Sequence, residues 1–333
     1  MENKLLFLII MVTCLGCTTE FVQKYDYARK KGDRQYKRRL LEQEVARNSG
    51  NGQAWLYLSQ MNAEDQRWAE FMKTIRNAEK TGVPISNRSD DLYKFYLSSL
   101  FNKAVEAFNK DQFESAISSF KNVLTLQPEN FEAIRLMAEA EFELKHWVTA
   151  KTLFEKYLSI NKKDIRTLSF LAHIALQQQN HAEVQKYGEQ VLALRPATET
   201  IRRMVAYSYE ATGDEEKAIQ QYAKLIKSSK RLNDYKALAV LYFKNGQIDE
   251  AIQVYRLAEK ISADKAPIYR ALAQCYIITQ QYDQLIRVAK RLMTINSEKN
   301  EAKRLLIMAY TILGKEEKLE AIIHQEVSDG KKN

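Results

Sequence analysis

Basic side chains recur in this sequence at multiples of about 34 residues. They occupy the same place in successive segments, as Arg135, Arg203, Lys236, Arg270 and Arg304, with Ser169 between the first two. Guanidinium and ammonium groups form charge-assisted hydrogen bonds with carboxylates. Such a row beside Tyr207 and Phe243 suits a partner segment that carries acidic and apolar residues. The alternative is a solvent-exposed position, where Lys and Arg are common.

Residues typical of catalytic or metal sites are scattered along the chain. Of the four histidines, His146, His173, His181 and His324, the pair His173 and His181 is eight residues apart and has no Cys or Glu at metal-ligand spacing. The sequence contains no HExxH, no Gly-rich phosphate loop and no nucleophile elbow. It therefore predicts no enzyme, no cofactor and no metal site. An enzyme with an unrecognised site remains the alternative.

The N-terminal segment 1–17, MENKLLFLIIMVTCLGC, is a targeting segment rather than part of the fold. A short basic start, an apolar stretch too short to span a bilayer and Leu15-Gly16-Cys17 resemble a bacterial lipoprotein signal. That resemblance implies cleavage after residue 16 and a diacylglyceryl group on the Cys17 thiol. Cys14 stands where the motif prefers Leu, so the match is imperfect. An ordinary secretory peptide or an uncleaved anchor is the alternative.

The net charge of +9 is concentrated near the N-terminus, because residues 24–39 alone contribute +6. A polybasic patch beside the lipid could press the first helices against anionic headgroups. A solvated face of a divergent repeat explains the same charges equally well. No basic-aromatic nucleic-acid motif accompanies them, so nucleic acid is not expected. The residues of this predicted patch are Arg29, Lys30, Lys31, Arg34, Lys37, Arg38 and Arg39.

Apolar residues follow a helix–turn–helix pattern that repeats through most of the chain. In 235–258 two amphipathic faces flank the turn at Gly246-Gln247, with Ala239 and Ala251 at the expected helix crossing. Counting in both directions from Ala251, by the same repeat length, gives a series of mostly small residues: Ala116, Ala150, Val184, Ala218, Ala251, Leu285 and Leu319. Only 10 Gly and 4 Pro in 333 residues also favour long helices with short connections.

This spacing and these residue types resemble the tetratricopeptide repeat (TPR). The resemblance implies an all-α, right-handed superhelical solenoid whose first helices line a concave groove. The basic series would then form a ladder along that groove. The departures are a missing turn Gly at Gln179-Asn180-His181, Gly188 where an aromatic is usual, Leu285 at a small position and Arg202 at an apolar one.

The predicted organisation places a signal peptide at 1–16 and an anchored region with two degenerate hairpins at 17–85. An insertion at 86–96 lengthens the next helix backwards, and 83–88 is the predicted hinge. Repeats are predicted at 97–130, 131–164, 165–198, 199–231, 232–265 and 266–299, with a capping repeat at 300–326 and a tail at 327–333.

Together these features predict a non-enzymatic protein-interaction scaffold of the bacterial envelope that binds a partner segment in its groove. It would be exported and lipid-anchored, with the outer membrane favoured over the inner. By analogy with other lipid-anchored repeat proteins, it would assist assembly of an outer-membrane, pilus or secretion complex. A periplasmic peptide-binding chaperone is the second interpretation.

Overall fold

The computed structural model describes residues 19–82 and 86–321, and every regular element in them is helical. The predicted all-α fold of helical hairpins is confirmed. The signal peptide, Cys17 and the 327–333 tail lie outside the described residues, as do 83–85 of the predicted hinge. The chain divides into two compact units, 1–160 and 161–333. The hinge at 83–88 stays a prediction.

The first unit contains eight helices among its described residues. They are α1 (Thr19–Lys31), α2 (Arg34–Arg47), α3 (Gly52–Glu64), α4 (Trp68–Lys80), α5 (Ser86–Asn109), α6 (Phe113–Leu126), α7 (Phe131–Glu143) and α8 (Trp147–Ile160). Consecutive helices pair as hairpins: α1 with α2, α3 with α4, α5 with α6 and α7 with α8. The lengthened helix expected near residue 90 is α5, which begins at Ser86.

The second unit repeats the same hairpin. Its helices are α9 (Ile165–Gln177), α10 (His181–Leu194), α11 (Glu199–Ala211), α12 (Glu215–Leu225), α13 (Leu232–Lys244), α14 (Ile248–Ile261), α15 (Ala266–Ile278), α16 (Tyr282–Met293) and α17 (Lys299–Ile312). A 3-10 turn at Asn296–Glu298 precedes α17, and residues 316–321 are again helical. Each second helix also packs on the first helix of the next hairpin, as α10 does on α11.

Small buried residues set the distance between the helices. Ala206 in α11, Ala218 in α12, Ala239 in α13 and Ala251 in α14 are completely buried. Packing in protein interiors leaves almost no spare volume, so larger side chains there would push the helices apart. The predicted crossing residues are therefore core residues. Leu285 in α16 is also fully buried, so this departure from the small-residue pattern is accommodated.

The turn inside each hairpin places one residue in the left-handed region whether or not that residue is Gly. Gly213 and Gly246 have φ values of 78° and 72°, and Gln179 and Gln280 adopt 56° and 55° at the matching positions. Left-handed backbone costs a non-Gly residue about 1–2 kcal/mol, which the packed hairpin tolerates. The missing turn Gly therefore changes local strain and leaves the fold intact.

The departure at Gly188 is explained by a close helix contact. Phe154 and Tyr222 occupy the matching places in α8 and α12, whereas Gly188 in α10 faces Val205 of α11. An added Cβ at residue 188 would lie 2.3 Å from Val205 Cγ2. Tyr187, the residue before Gly188, is the buried aromatic of this helix. The absence of a side chain thus permits this approach of α10 to α11.

Arg202, the remaining departure, is half-buried with defined polar partners. Its guanidinium donates to the Gln221 side chain at 2.7 Å and to the Pro196 carbonyl. Burial lowers the pKa of Arg202. The aliphatic part of the side chain can replace an apolar residue while the charged end reaches these acceptors.

Candidate functional site

The second unit contains a pocket of about 910 Å³ on successive first helices of its hairpins. Helices α9, α11 and α13 supply most of the wall, and Tyr222 and the 179–181 turn complete it. Its lining includes two residues that the sequence assigned to the groove, Arg203 and Tyr207. The pocket arises because matching positions of stacked hairpins lie side by side.

Arg203 is held in a two-bond ion pair with a buried carboxylate. Its Nε and Nη2 donate to Asp234 Oδ1 and Oδ2 at 2.7 and 2.8 Å, and the Ser229 hydroxyl donates to Oδ2 at 2.5 Å. Burial raises the pKa of Asp234, but these hydrogen bonds and the Arg203 charge outweigh it and the net pKa is lowered. The hydrogen bonds to Asp234 raise the pKa of Arg203. Arg203 therefore ties α11 to α13, and its charge is matched within the protein.

Tyr207 is the main apolar surface of the pocket. Its side chain is 51% exposed although it stands in the middle of α11. The His181 ring meets it edge to face, with ring centres 5.8 Å apart. His173 also lines the pocket, and burial lowers its pKa, which favours the neutral ring near pH 7. The exposed Tyr207 ring, with the edge-to-face His181 ring beside it, suits an apolar side chain of a ligand.

Amide and hydroxyl side chains form the polar part of the lining. Gln177, Gln179, Asn233 and Thr200 contribute donors and acceptors, and Arg231 adds a cation. Amide side chains can bond both the N–H and the C=O groups of a peptide backbone. The pocket as a whole is therefore suited to a polypeptide segment with an apolar anchor.

The other members of the predicted ladder are placed differently. Arg135 lies in the first unit and pairs with Glu132 and Glu139, so its side chain is only 17% exposed. Arg270 pairs with Glu298 at 2.8 Å, and Arg304 lies 3.9 Å from Glu301. Lys236 and Phe243 are half-buried on α13 and do not line the pocket. Much of the ladder's charge is thus compensated by nearby carboxylates.

Several exposed apolar side chains on the first helices were missed in the sequence. Val240, Ile278 and Ile312 are 38%, 53% and 53% exposed on α13, α15 and α17. Val240 matches the place of Tyr207 one repeat later, and Ile278 and Ile312 share another repeat position. Reading those positions across all repeats would have revealed them. Val240 adds apolar contact area to α13, which carries part of the pocket, whereas Ile278 and Ile312 add it to the first helices of the following hairpins.

The predicted N-terminal basic patch is partly occupied by internal contacts. Arg34 and Arg38 both pair with Asp65, and Arg34 also reaches Glu64. Lys37 is half-buried, with its ammonium 5.3 Å from the centre of the Tyr25 ring, and burial lowers its pKa.

The rest of that patch is more exposed. Arg29 lies 3.7 Å from Asp26, and the Lys31 ammonium lies 5.8 Å from the centre of the Tyr27 ring. Lys30 and Arg39 are exposed. Arg34 and Arg38 therefore help to join α2 to α3, whereas Lys30, Lys31 and Arg39 present their charge to solvent.

Residues 19–82 and 86–321 contain no arrangement typical of a metal centre or a membrane span. No group of three or more His, Cys, Asp or Glu side chains is arranged to hold a metal ion there. None of the helices in those ranges combines the length and the apolar character needed to cross a bilayer. Cys275 is completely buried, as expected of a core residue, and burial raises its pKa to about 11.

Three segments match models of the tetratricopeptide repeat, at residues 107–174, 204–229 and 235–265. The chain contains tetratricopeptide repeats. The matched segments overlap parts of α9, α11 and α13, the helices that carry the pocket. A comparison with curated protein sequences found no match.

Three solved structures with similarity to this chain are distant from it in sequence. The MamA protein is 19% identical, with a TM-score of 0.46 over 51% of this chain and 94% of its own. YrrB, described as a TPR protein with an unusual peptide-binding site, is 16% identical, with a TM-score of 0.46 over 52% of this chain and 89% of its own. A Naa15/Naa10 complex bound to HypK-THB is 16% identical and reaches a TM-score of 0.51 over 84% of this chain and 42% of the matched one. These likenesses concern the fold alone.

Proposed function

We propose that this protein is a non-enzymatic interaction scaffold that binds a peptide segment of a partner protein in the pocket on α9, α11 and α13. The observation that carries the proposal is the exposed Tyr207 ring in the lining of a pocket that also contains amide side chains. Aromatic anchors in concave, partly polar surfaces supply a large share of the energy in protein–protein contacts.

The preferred ligand is a segment with an apolar anchor residue and an accessible backbone. The anchor would pack against Tyr207 and His181, and Gln177 and Asn233 would bond the backbone. Acidic residues in the ligand have a secondary role here, because Asp234 already neutralises Arg203. Arg231 remains available for one carboxylate at the rim.

The test is peptide selection on the purified full chain, followed by affinity measurements on Tyr207→Ala. We expect the selected peptides to share an apolar residue, and their affinity to fall about tenfold or more with Tyr207→Ala. Tyr27→Ala is a matched control because Tyr27 is 60% exposed and lies in the first unit. Equal losses in the two variants would refute the pocket assignment. Selected peptides without any common feature would favour the chaperone interpretation.

We further propose that the chain is exported and anchored to a bacterial membrane through Cys17, where it assists assembly of an envelope complex. The support is the signal-like N-terminus together with the exposed Lys30, Lys31 and Arg39 near the start of the helical array. Such charges strengthen attachment to anionic headgroups by about 1 kcal/mol each when well placed. The outer membrane is the preferred location.

Fractionation of cells that produce Cys17→Ala tests the anchor. The variant should leave the membrane fraction, and mass spectrometry of the wild-type protein should show an acylated N-terminal cysteine. Cys14→Ala is the control and should stay with the membrane. Membrane retention of Cys17→Ala would contradict the lipid anchor.

A further inference from the structure

A second groove lies between α14 and α16, outside the pocket already described. It has a volume of about 590 Å³, and its floor is formed by Leu272 and Tyr276 of α15. Its walls come from the second helices of two successive hairpins. It is therefore built by different helices from those that carry the Tyr207 pocket.

Basic side chains dominate this groove and the shallower pocket that adjoins it. Six cations line the two, against the carboxylates of Glu259 and Asp264. The six are Arg256, Lys260, Lys265, Arg287, Lys290 and Arg291. An excess of one charge within a concave surface concentrates the electrostatic field and attracts ions of the opposite charge.

The two carboxylates neutralise little of this charge. Glu259 accepts from Arg291 at 2.6 Å and from the Tyr269 hydroxyl at 3.2 Å. The Asp264 side chain accepts from the Ala266 backbone N–H at 3.1 Å. Lys260, Lys265 and Arg287 are exposed, and no ion pair involving them is found within residues 19–82 and 86–321.

Arg256 is oriented at the groove by its aromatic floor. Its Nε donates to the Tyr276 hydroxyl at 3.1 Å, and its guanidinium carbon lies 5.9 Å from the centre of the same ring. A guanidinium fixed in this way loses little freedom when it binds a carboxylate. The groove thus combines one pre-oriented cation, Arg256, with the exposed cations Lys260, Lys265 and Arg287.

The spacing of the cations matches an extended polypeptide. Arg256 and Lys260 are four residues apart on α14, and Arg287 and Arg291 are four apart on α16. Four helical residues advance about 6 Å. Every second side chain of an extended strand advances about 6.6 Å on the same face.

We propose that the α14–α16 groove binds an acidic segment of a partner polypeptide. Asp or Glu at alternate positions of that segment would pair with Arg256 and Lys260 on α14. Arg287 on α16 would pair with a further carboxylate, because Arg291 is already held by Glu259. This surface is separate from the Tyr207 pocket, so the protein would have two docking sites of different chemistry: an apolar one on its first helices and a basic one between second helices.

Fluorescence anisotropy of a labelled octaglutamate peptide with the full-length protein tests this proposal. We expect saturable binding that weakens as salt rises, because exposed charges are screened within about 8 Å at 0.15 M ionic strength. The triple variant Lys260→Glu, Lys265→Glu, Arg287→Glu should bind about tenfold more weakly or worse. These three residues are exposed. A second triple variant with Gln at the same positions removes the positive charges without adding negative ones, so we expect a smaller loss of affinity.

The matched control reverses three exposed lysines of the preceding repeat, Lys224, Lys227 and Lys230. It has the same net charge as the Glu triple variant, and Lys224 lies in the last turn of α12 as Lys260 does in α14. Retained affinity in this control, with loss in the groove variants, supports the proposal.

Equal losses in the groove and control variants would overturn the proposal, because net charge alone would then explain the binding. Absence of octaglutamate binding to the wild-type protein would also overturn it. So would binding of vesicles with anionic headgroups, or of inorganic phosphate, without binding of the peptide. The Tyr207→Ala variant should bind octaglutamate normally, which separates failure of this proposal from failure of the Tyr207 pocket.

Discussion

Replacement of Gly188 by Ala tests whether a close helix contact or helix propensity dominates at the α10–α11 interface. Propensity alone favours Ala over Gly within a helix by about 1 kcal/mol. The structure opposes this gain, because the new Cβ would lie 2.3 Å from Val205 Cγ2 and 3.5 Å from Ile201 Cγ2. Both neighbours are buried, so neither side chain can move into solvent.

Overpacking of a close-packed interior costs about 1–3 kcal/mol, which exceeds the gain in propensity. We therefore expect Gly188→Ala to lower the free energy of unfolding by about 1 kcal/mol in the wild-type background. Val205→Ala removes the Cγ2 methyl that causes the clash. In that background the same Gly188→Ala change should raise the free energy of unfolding by about 1 kcal/mol.

The assay is urea-induced unfolding of the four proteins, followed by far-ultraviolet circular dichroism. The expected reversal of sign corresponds to a coupling of about 2 kcal/mol, within the range seen for residues in contact. The control compares Gln190→Gly with Gln190→Ala at an exposed position of the same helix, where the difference in stability reports helix propensity alone. An effect of Gly188→Ala that is the same in both backgrounds would refute the steric argument.

Four further predictions concern the backbone, the core and the charges. Gly246→Ala should lower the stability of the protein by about 1–2 kcal/mol, because residue 246 has left-handed backbone and no neighbouring atom lies within 4 Å of the new Cβ. Gln179→Gly should raise the stability, because Gln179 adopts the same left-handed backbone. Thermal unfolding measures both changes. Ala239→Leu should destabilise by about 1–3 kcal/mol through overpacking, and an unchanged melting temperature would contradict the assigned crossing. Because the folded-state pKa of Asp234 is lowered, its stabilising effect is present above the usual carboxyl pKa of about 3.9 and is lost as pH falls through the lower folded value. The difference in unfolding free energy between wild type and Asp234→Asn should therefore shrink below about pH 4. A difference that stays constant with pH would show that the pair does not titrate. Cys275, with its pKa raised to about 11, should resist alkylation at pH 8 until the protein unfolds, as a time course by mass spectrometry would show.

The helical hairpins could be read directly from the sequence. Periodic apolar residues, regularly spaced turns and small residues at the crossings depend on local chain geometry, which the sequence records in order. Ala239 and Ala251 are fully buried as expected, and the second helix of their hairpin begins directly after Gly246-Gln247. The departure at Gly188 was visible too, but its reason was not, because the close neighbour Val205 lies on the next hairpin.

Charge compensation, by contrast, was decided by tertiary packing. Arg203 is 31 residues from Asp234, and the sequence does not show that stacking of α11 and α13 brings the two side chains within hydrogen-bonding distance. The basic ladder therefore looked more available for an acidic ligand than it is.

The opposite holds for the α14–α16 groove. Arg256, Lys260 and Arg287 look like ordinary solvated residues of two separate helices, and only the packing of both helices against α15 gathers them around Tyr276. A repeat sequence determines which residues are helical and which are buried, because both follow from a periodic local pattern. Which charges meet a partner within the chain, and which are left for a ligand, depends on distances between side chains of different repeats, and these exist only once the hairpins have stacked.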